Sequence, residues 1–208
     1  QDIRARLVAR DFKGEDKDRD ELFAGTPPQE TNRLLFSRAV TRGPGVQRKL
    51  MFIDAKKAHL NPRCEHDVYI HLPEECGVGK GMCGKLNFWL YGFRPAAAGW
   101  EKHYCAFLEK AGFQRGIGCG VVFWHSTRDI SLAVHGDDFT VCGPEEELHC
   151  LSGKMRSWFA IKVRAILGPD AKDDKEIIIL GRRVSWNEEG IRYGPDPRHR
   201  QAILDFFG

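Results

Sequence analysis

Three aspartates in this chain stand where acidic side chains could do metal chemistry. Asp137 and Asp138 follow the β-rich run Ile130 to Val134 and precede the apolar run Phe139 to Cys142, so the pattern predicts a hairpin with two carboxylates at its tip. Asp54 closes another short apolar run, Leu50 to Ile53. Asp and Gly are common in hairpin turns because they tolerate unusual backbone angles, so Gly136-Asp137-Asp138 alone is also what turn chemistry would produce. The placement argues further. If the two apolar strands are neighbours in one sheet, three carboxylates converge and repel each other, and cations must neutralise them. Oxygen-only ligands with incomplete coordination suit Mg²⁺, and two such ions about 3.5 to 4 Å apart stabilise both the attacking and the leaving oxygen of phosphoryl transfer.

The elements that would position these residues follow from periodicity. Arg4 to Phe12 alternates basic and apolar residues, the period of a strand with one wet face, and would display its arginines together. Lys13 to Asp20 reads as a charged loop. Gln29 to Val40, after Pro27-Pro28, reads as a helix with Leu34, Leu35 and Ala39 at helical spacing, ended by Thr41 to Val46. Ala55 to Leu60 could turn into a helix stopped by Pro62, leaving Asp54 at a strand's carboxyl end. Val68 to Leu72 reads as a strand, Gly77 to Gly84 as a glycine-rich loop, and Ala96 to Gly112 as a helix with Trp100, Tyr104, Phe107 and Leu108 on its core face. Val121 to Trp124 and Ile177 to Leu180 are further strands, Glu145 to Phe159 a helix opened by Pro144, and Gln201 to Phe207 the start of another.

Composition bounds the class. A 208-residue chain that is 42% hydrophobic and 29% charged can bury one sizeable core or two modest ones. It begins with Gln and ends just after an apolar run, so an excerpt of a longer protein is expected. No leader pattern occurs, and no apolar stretch approaches the roughly 20 residues of a spanning helix, so neither secretion nor a membrane partner is expected. Seven cysteines at irregular spacings, without a C-x-x-C pair, read as free thiols, and Cys64 with His66 falls short of a zinc site. The net charge of +3 is small for a polyanion-binding chain. Its distribution is more telling: Arg4, Arg6, Arg10 and Lys13 cluster near the start. Lys162, Arg164, Arg182, Arg183, Arg192, Arg198 and Arg200 lie around Trp158, Trp186 and Tyr193. That interleaving suits a nucleic-acid groove, though the charges alone favour an ordinary solvated surface.

A series of segments, in order, resembles the reverse transcriptase region of copia-type long-terminal-repeat retrotransposons, part of their Pol polyprotein. Arg4-Ala-Arg-Leu-Val-Ala-Arg10 resembles K-A-R-L-V-A-K, and Glu21-Leu-Phe-Ala24 with Arg33-Leu-Leu35 resembles E-T-F-A and R-L-L. Asp54-Ala-Lys-Lys-Ala-His-Leu-Asn61 is similar to D-V-K-T-A-F-L-N, and Val68-Tyr-Ile70 with Pro73 to V-Y-M-x-x-P. Leu90-Tyr-Gly-Phe93 with Trp100 is similar to L-Y-G-L with its downstream W, and Val134-His-Gly-Asp-Asp138 stands where the family has Y-V-D-D. Leu180-Gly181 matches the L-G that follows the palm.

The resemblance implies an α+β right-hand polymerase, an antiparallel sheet backed by helices. Fingers would span about 1–48 and 61–94, the palm about 49–60 and 95–181, and a truncated thumb 182–208. Asp54, Asp137 and Asp138 would be catalytic and hold two Mg²⁺ ions, with Mn²⁺ as the alternative. The primer 3′-hydroxyl would attack the α-phosphate of a deoxynucleotide, one ion activating the hydroxyl and the other holding the triphosphate. Arg4, Arg6, Ala55 and His59 would contact the dNTP, an arginine fork holding phosphate oxygens by paired hydrogen bonds. His135, Gly136, Leu180 and Gly181 would contact primer and template. An RNA or DNA template with primer, dNTPs, and ribonuclease H and integrase segments of the same polyprotein are the implied partners, in an intracellular setting such as a cytoplasmic particle or the nucleus.

Departures accompany the resemblance. His59 stands where the family has an aromatic that excludes a 2′-hydroxyl, Pro95 and Ala96 to Ala98 replace Q-A-P-R, and His135-Gly136 replaces Tyr-Val. Two other readings therefore stay open: a catalytically decayed nucleic-acid-binding remnant, and a nucleotide cyclase with a related palm sheet. The second leaves Arg4 to Arg10 and Leu90 to Gly92 unexplained.

Overall fold

The run Leu50 to Ile53 is apolar without alternation because its strand is covered on both faces, the circumstance in which strands lose their period of two. The computed structural model describes residues 7–11, 24–41, 46–79 and 81–207, the side chains of His199 and Arg200 excepted. In chain order these form α1 (Gln29–Val40), β1 (Arg48–Ala55), β2 (Tyr69–His71), β3 (Cys83–Lys85) and α2 (Arg94–Lys110). There follow β4 (Gln114–Arg115), β5 (Val122–His125), β6 (Ile130–His135), β7 (Asp138–Pro144), α3 (Glu145–Arg156), β8 (Ile161–Leu167), β9 (Glu176–Ile179), β10 (Arg182–Asn187), β11 (Gly190–Pro195) and α4 (Pro197–Phe207). The fold is α+β with antiparallel sheets, as expected. Arg4, Arg6, the 13–20 loop and Glu21 to Phe23 lie outside the described residues.

The chain divides into two compact units, 1–24 with 57–107 and 25–56 with 108–208, and α2 passes from one into the other. In the first unit β2 and β3 form a two-stranded ribbon. Leu7 to Asp11 form no strand there, contrary to the alternation. Instead the Ala9 amide donates to the Tyr91 carbonyl at 2.7 Å, and the Asp11 carboxylate accepts from the Arg94 amide at 3.1 Å, capping the start of α2. Gly92 has φ +89°, and a Cβ there would lie 2.1 Å from the Ala9 carbonyl oxygen, so this motif glycine is required by close backbone approach. The expected helix over Ala55 to Leu60 is only a 3₁₀ turn, Ala58–Leu60, entered through Lys57 at φ 55°.

In the second unit a six-stranded sheet runs β4-β5-β6-β7-β1-β8 and a three-stranded one β11-β10-β9. Partners across the sheet share a face, so Leu50 with Cys142 and Phe52 with Thr140 point one way, and Met51 with Val141 and Ile53 with Phe139 the other. On the first face Leu35, Phe36 and Ala39 of α1 and Ile179, Val184 and Trp186 of the smaller sheet complete one core. Phe36 meets Tyr193 edge-on at 5.2 Å, a favoured aromatic geometry. On the second face α3 brings buried Leu148, Leu151 and Met155 against β7, β1 and β8, and Phe159 stacks on Phe139. The helix expected to reach Phe159 ends at Arg156. Beyond β8 the Asp174 carboxylate accepts from the Ile166 amide at 2.8 Å while the Asp174 amide donates to the Ile166 carbonyl at 2.9 Å.

Among the described residues, one lysine of this unit is buried. Lys49 has a side chain only 3% exposed and donates to Asp170 and Asp173 at 2.7 Å and to Glu145 at 2.8 Å. Burial works against its charge, but the hydrogen bonds to Asp170, Asp173 and Glu145 outweigh it and hold the ammonium above the usual lysine range. Lys172 and Lys49 together draw the Glu145 carboxyl down to about 2. Replacing Lys49 by Met would leave these carboxylates facing each other. A loss of about 3 kcal/mol in urea unfolding is expected, the low end for removing one partner of a buried pair because Glu145 and Asp170 keep access to water. Because Glu145 is depressed below its ordinary 4.5, its contribution is complete above that pH and is lost as pH falls toward 2. Glu145→Gln should therefore flatten the decline of the urea midpoint between pH 5 and pH 2.5.

Candidate active site

Asp54 and Asp138 are directly opposite each other on β1 and β7, two adjacent inner strands of the larger sheet, with Lys162 of β8 on the other side of Asp54. Asp137 and Gly136 are the two turn residues of the β6–β7 hairpin, flanked by the His135–Asp138 pair. Gly136 has φ +63° at the first central position, where a two-residue hairpin of the II′ type favours glycine. The Asp137 carbonyl accepts from the Ala55 amide at 2.8 Å, so the turn is tied to the end of β1 next to Asp54. Ala55 itself is 1% exposed.

Asp54 and Asp138 are half-buried and Asp137 is exposed. Burial pushes the Asp138 carboxyl above its usual range, the Arg164 guanidinium opposes the rise, and the Asp137 and Asp54 charges add to it. Arg164 donates to Asp138 Oδ1 at 3.4 Å and to the Ile178 carbonyl at 2.8 Å. His135, Asp138, Arg164 and Leu180 line a small cavity with Asn32 and Pro27. Leu180 and Gly181 form the turn between β9 and β10 with φ 47° and 69°. Leucine in that region is strained by its Cβ.

The donor set is anionic and all oxygen, the chemistry of a hard divalent cation, and mutual repulsion of three carboxylates is what such an ion relieves. The residues therefore fit a divalent metal by charge and donor type. As the side chains stand, no three His, Cys, Asp or Glu groups among the described residues are gathered to hold one. Asp138 is turned toward Arg164 instead.

The remaining expected site residues belong to the first unit or lie outside the described residues. His59 belongs to the first unit, with its ring 5.0 Å from that of Tyr91. Arg4 and Arg6 lie outside the described residues. The sequence groups Arg164 with the basic residues around Trp158, Trp186 and Tyr193 and gives it no role at the carboxylates; the alternation Ile161, Val163 against Lys162, Arg164 is the signal that places it on a strand.

A family model described as reverse transcriptase (RNA-dependent DNA polymerase) matches residues 1–180. The chain belongs to the reverse transcriptase family. Reverse transcriptases are nucleotidyltransferases that bind nucleic-acid templates and nucleotides and generally use divalent metal ions. No helix of this reverse transcriptase domain, among the described residues, is long and apolar enough to cross a membrane.

The strain at Leu180 gives a test of the turn. Leu180→Asn, which tolerates a left-handed backbone, should raise stability by about 0.5 to 1 kcal/mol in urea unfolding. An unchanged or lower midpoint would mean that the leucine side chain's own contacts outweigh the strain.

Proposed function

We propose that this domain is the polymerising part of a copia-type retrotransposon Pol polyprotein, extending a primer by RNA-directed DNA synthesis from dNTPs. The observation that carries the reading is the pairing of Asp54 with Asp138 across the adjacent strands β1 and β7, Asp137 one residue away in the turn, in a chain of this family. In this reading the three aspartates are catalytic and hold two Mg²⁺, or Mn²⁺ in its place. Such ions, when bound, make the primer hydroxyl a better nucleophile and neutralise the triphosphate.

The chain's own residues orient the reactants. Asp54 and Asp138 present their carboxylates from rigid strands fixed by pairing on both sides, which keeps a bound phosphate in one place. The Ala55–Asp137 backbone bond holds the hairpin tip against the end of β1, so the third carboxylate cannot swing away with its turn. His135, Gly136, Leu180 and Gly181 flank this point and take the primer end and its template, with the Leu180 side chain as an apolar rest. By the resemblance Arg4, Arg6 and His59 would contact the dNTP, while Ala55, 1% exposed, could support that contact only from beneath. Fingers, palm and partial thumb follow the boundaries given by the resemblance, and ribonuclease H and integrase segments of the same polyprotein act alongside in an intracellular particle or the nucleus.

The test is primer extension on poly(rA) with oligo(dT), dTTP and Mg²⁺. Extension by the parent and loss of at least about a thousandfold in the Asp137→Asn, Asp138→Asn double variant is expected, given what removal of transition-state charge stabilisation costs. No extension by a folded parent that binds primer and template would replace this reading by that of an inactive binding remnant.

A further inference from the structure

Strand β8 carries an irregularity at the candidate site. Its pairing with β1 runs Asp54 to Lys162 and Ile53 to Val163, then jumps to Phe52 with Ala165. Arg164 is the extra residue, without a partner of its own across the ladder. A bulge of this kind re-aims a side chain and is conspicuous beside functional sites. Alternation from Lys162 puts Arg164 on the face of Asp54 and Phe52, and the bulge turns Ala165 to that face as well; from there the guanidinium spans β1 to reach Asp138 on β7. Its other amine is fixed on the Ile178 carbonyl at 2.8 Å, so the charge is held near Asp138 whether or not the carboxylate stays with it. The contact to Asp138 is loose, 3.4 Å, and both side chains keep about a third of their surface, 34% and 28%. Pairs of this exposure are weak and are readily exchanged for a stronger partner.

We propose that Arg164 is a resident counter-ion of the carboxylate cluster, a positioning residue that occupies Asp138 in the empty domain and that an entering divalent cation must displace. This rests on the reading of Asp54, Asp137 and Asp138 as metal ligands. A guanidinium tethered beside the cluster lowers the repulsion among the carboxylates without a metal, and it opposes a divalent ion by like charge. Once Asp138 turns to the ion, the freed fork remains on Ile178, facing the site with donors suited to phosphate oxygens.

The measurement is Mn²⁺ binding to the chain without nucleic acid, followed by the electron paramagnetic resonance signal of the free ion. Arg164→Gln should bind Mn²⁺ about tenfold more tightly, through loss of one neighbouring like charge. Arg164→Lys, which keeps the charge, should stay within about twofold of the parent. In an Asp138→Asn background, Arg164→Gln should make no difference. Equal or weaker binding by a folded Arg164→Gln chain, with the parent binding through Asp138, overturns the proposal and leaves the metal reading intact. Absence of Mn²⁺ binding in every variant overturns both. Should Arg164→Gln fail to fold, the guanidinium resonance of the parent, assigned by its loss in Arg164→Lys, decides: a shift on Mg²⁺ addition supports displacement, and an unmoved resonance refutes it.

Discussion

The register between β1 and β7 is the constraint on which the site depends. Asp54 faces Asp138 only because Leu50 and Phe52 enter the layer under α1 while Met51 and Ile53 enter the layer under α3. A slip of one residue would exchange these sets, carry Asp54 to the other face, and drive side chains of the wrong shape into two closed layers. Packing thus enforces the placement of a charge that packing alone would disfavour. Core and site are not independent achievements of the sequence: the apolar residues that stabilise the sheet are the ones that aim its acids.

Around that register, polar groups act as fasteners at opposite ends of the sheet. At the carboxylate end the Ala55 amide secures the Asp137 carbonyl, and the Lys56 amide donates to the Ala160 carbonyl at 2.8 Å. At the far end Asp129, at φ 53° in the turn before β6, takes both Arg38 of α1 and Nε of Arg48 of β1, the latter at 2.6 Å. Lys49, one residue along, gathers carboxylates from α3 and from the turn after β8. Helices and strands are therefore joined by charge where the hydrophobic layers end.

Most of the central architecture was legible. α1 matches its expected span, and the apolar runs at Leu50 to Ile53, Ile130 to Val134 and Phe139 to Cys142 became the three strands around the site. The hairpin tip was legible because glycine and aspartate have few other uses between two β-rich runs. The N-terminal alternation misled for residues 7–11, because that segment bonds to the Tyr91 carbonyl and caps α2 rather than joining a sheet. The 3₁₀ turn after β1 looks like a helix in the sequence because Lys57's left-handed backbone leaves no compositional trace. Strands β8, β10 and β11 were missed; their exposed cations and glycines look like surface, and their apolar residues acquire meaning only against α1 and β1. Arg164's approach to Asp138 spans β1 to reach β7, and which strands lie beside β8 cannot be read from β8 alone.

The Asp174 contact with Ile166 has a bearing beyond the geometry of one turn. β8 is the outermost strand of the larger sheet, and an outermost strand offers its unused amides and carbonyls to any extended chain that comes near. Over its second half that offer is withdrawn, because Asp174 satisfies both backbone groups of Ile166 with its own amide and carboxylate. What remains open is short and bears exposed Lys162. A polypeptide seeking to lengthen the sheet meets a blocked rim and then a charge, so this border resists the edge-to-edge self-association through which sheet proteins are lost to aggregates.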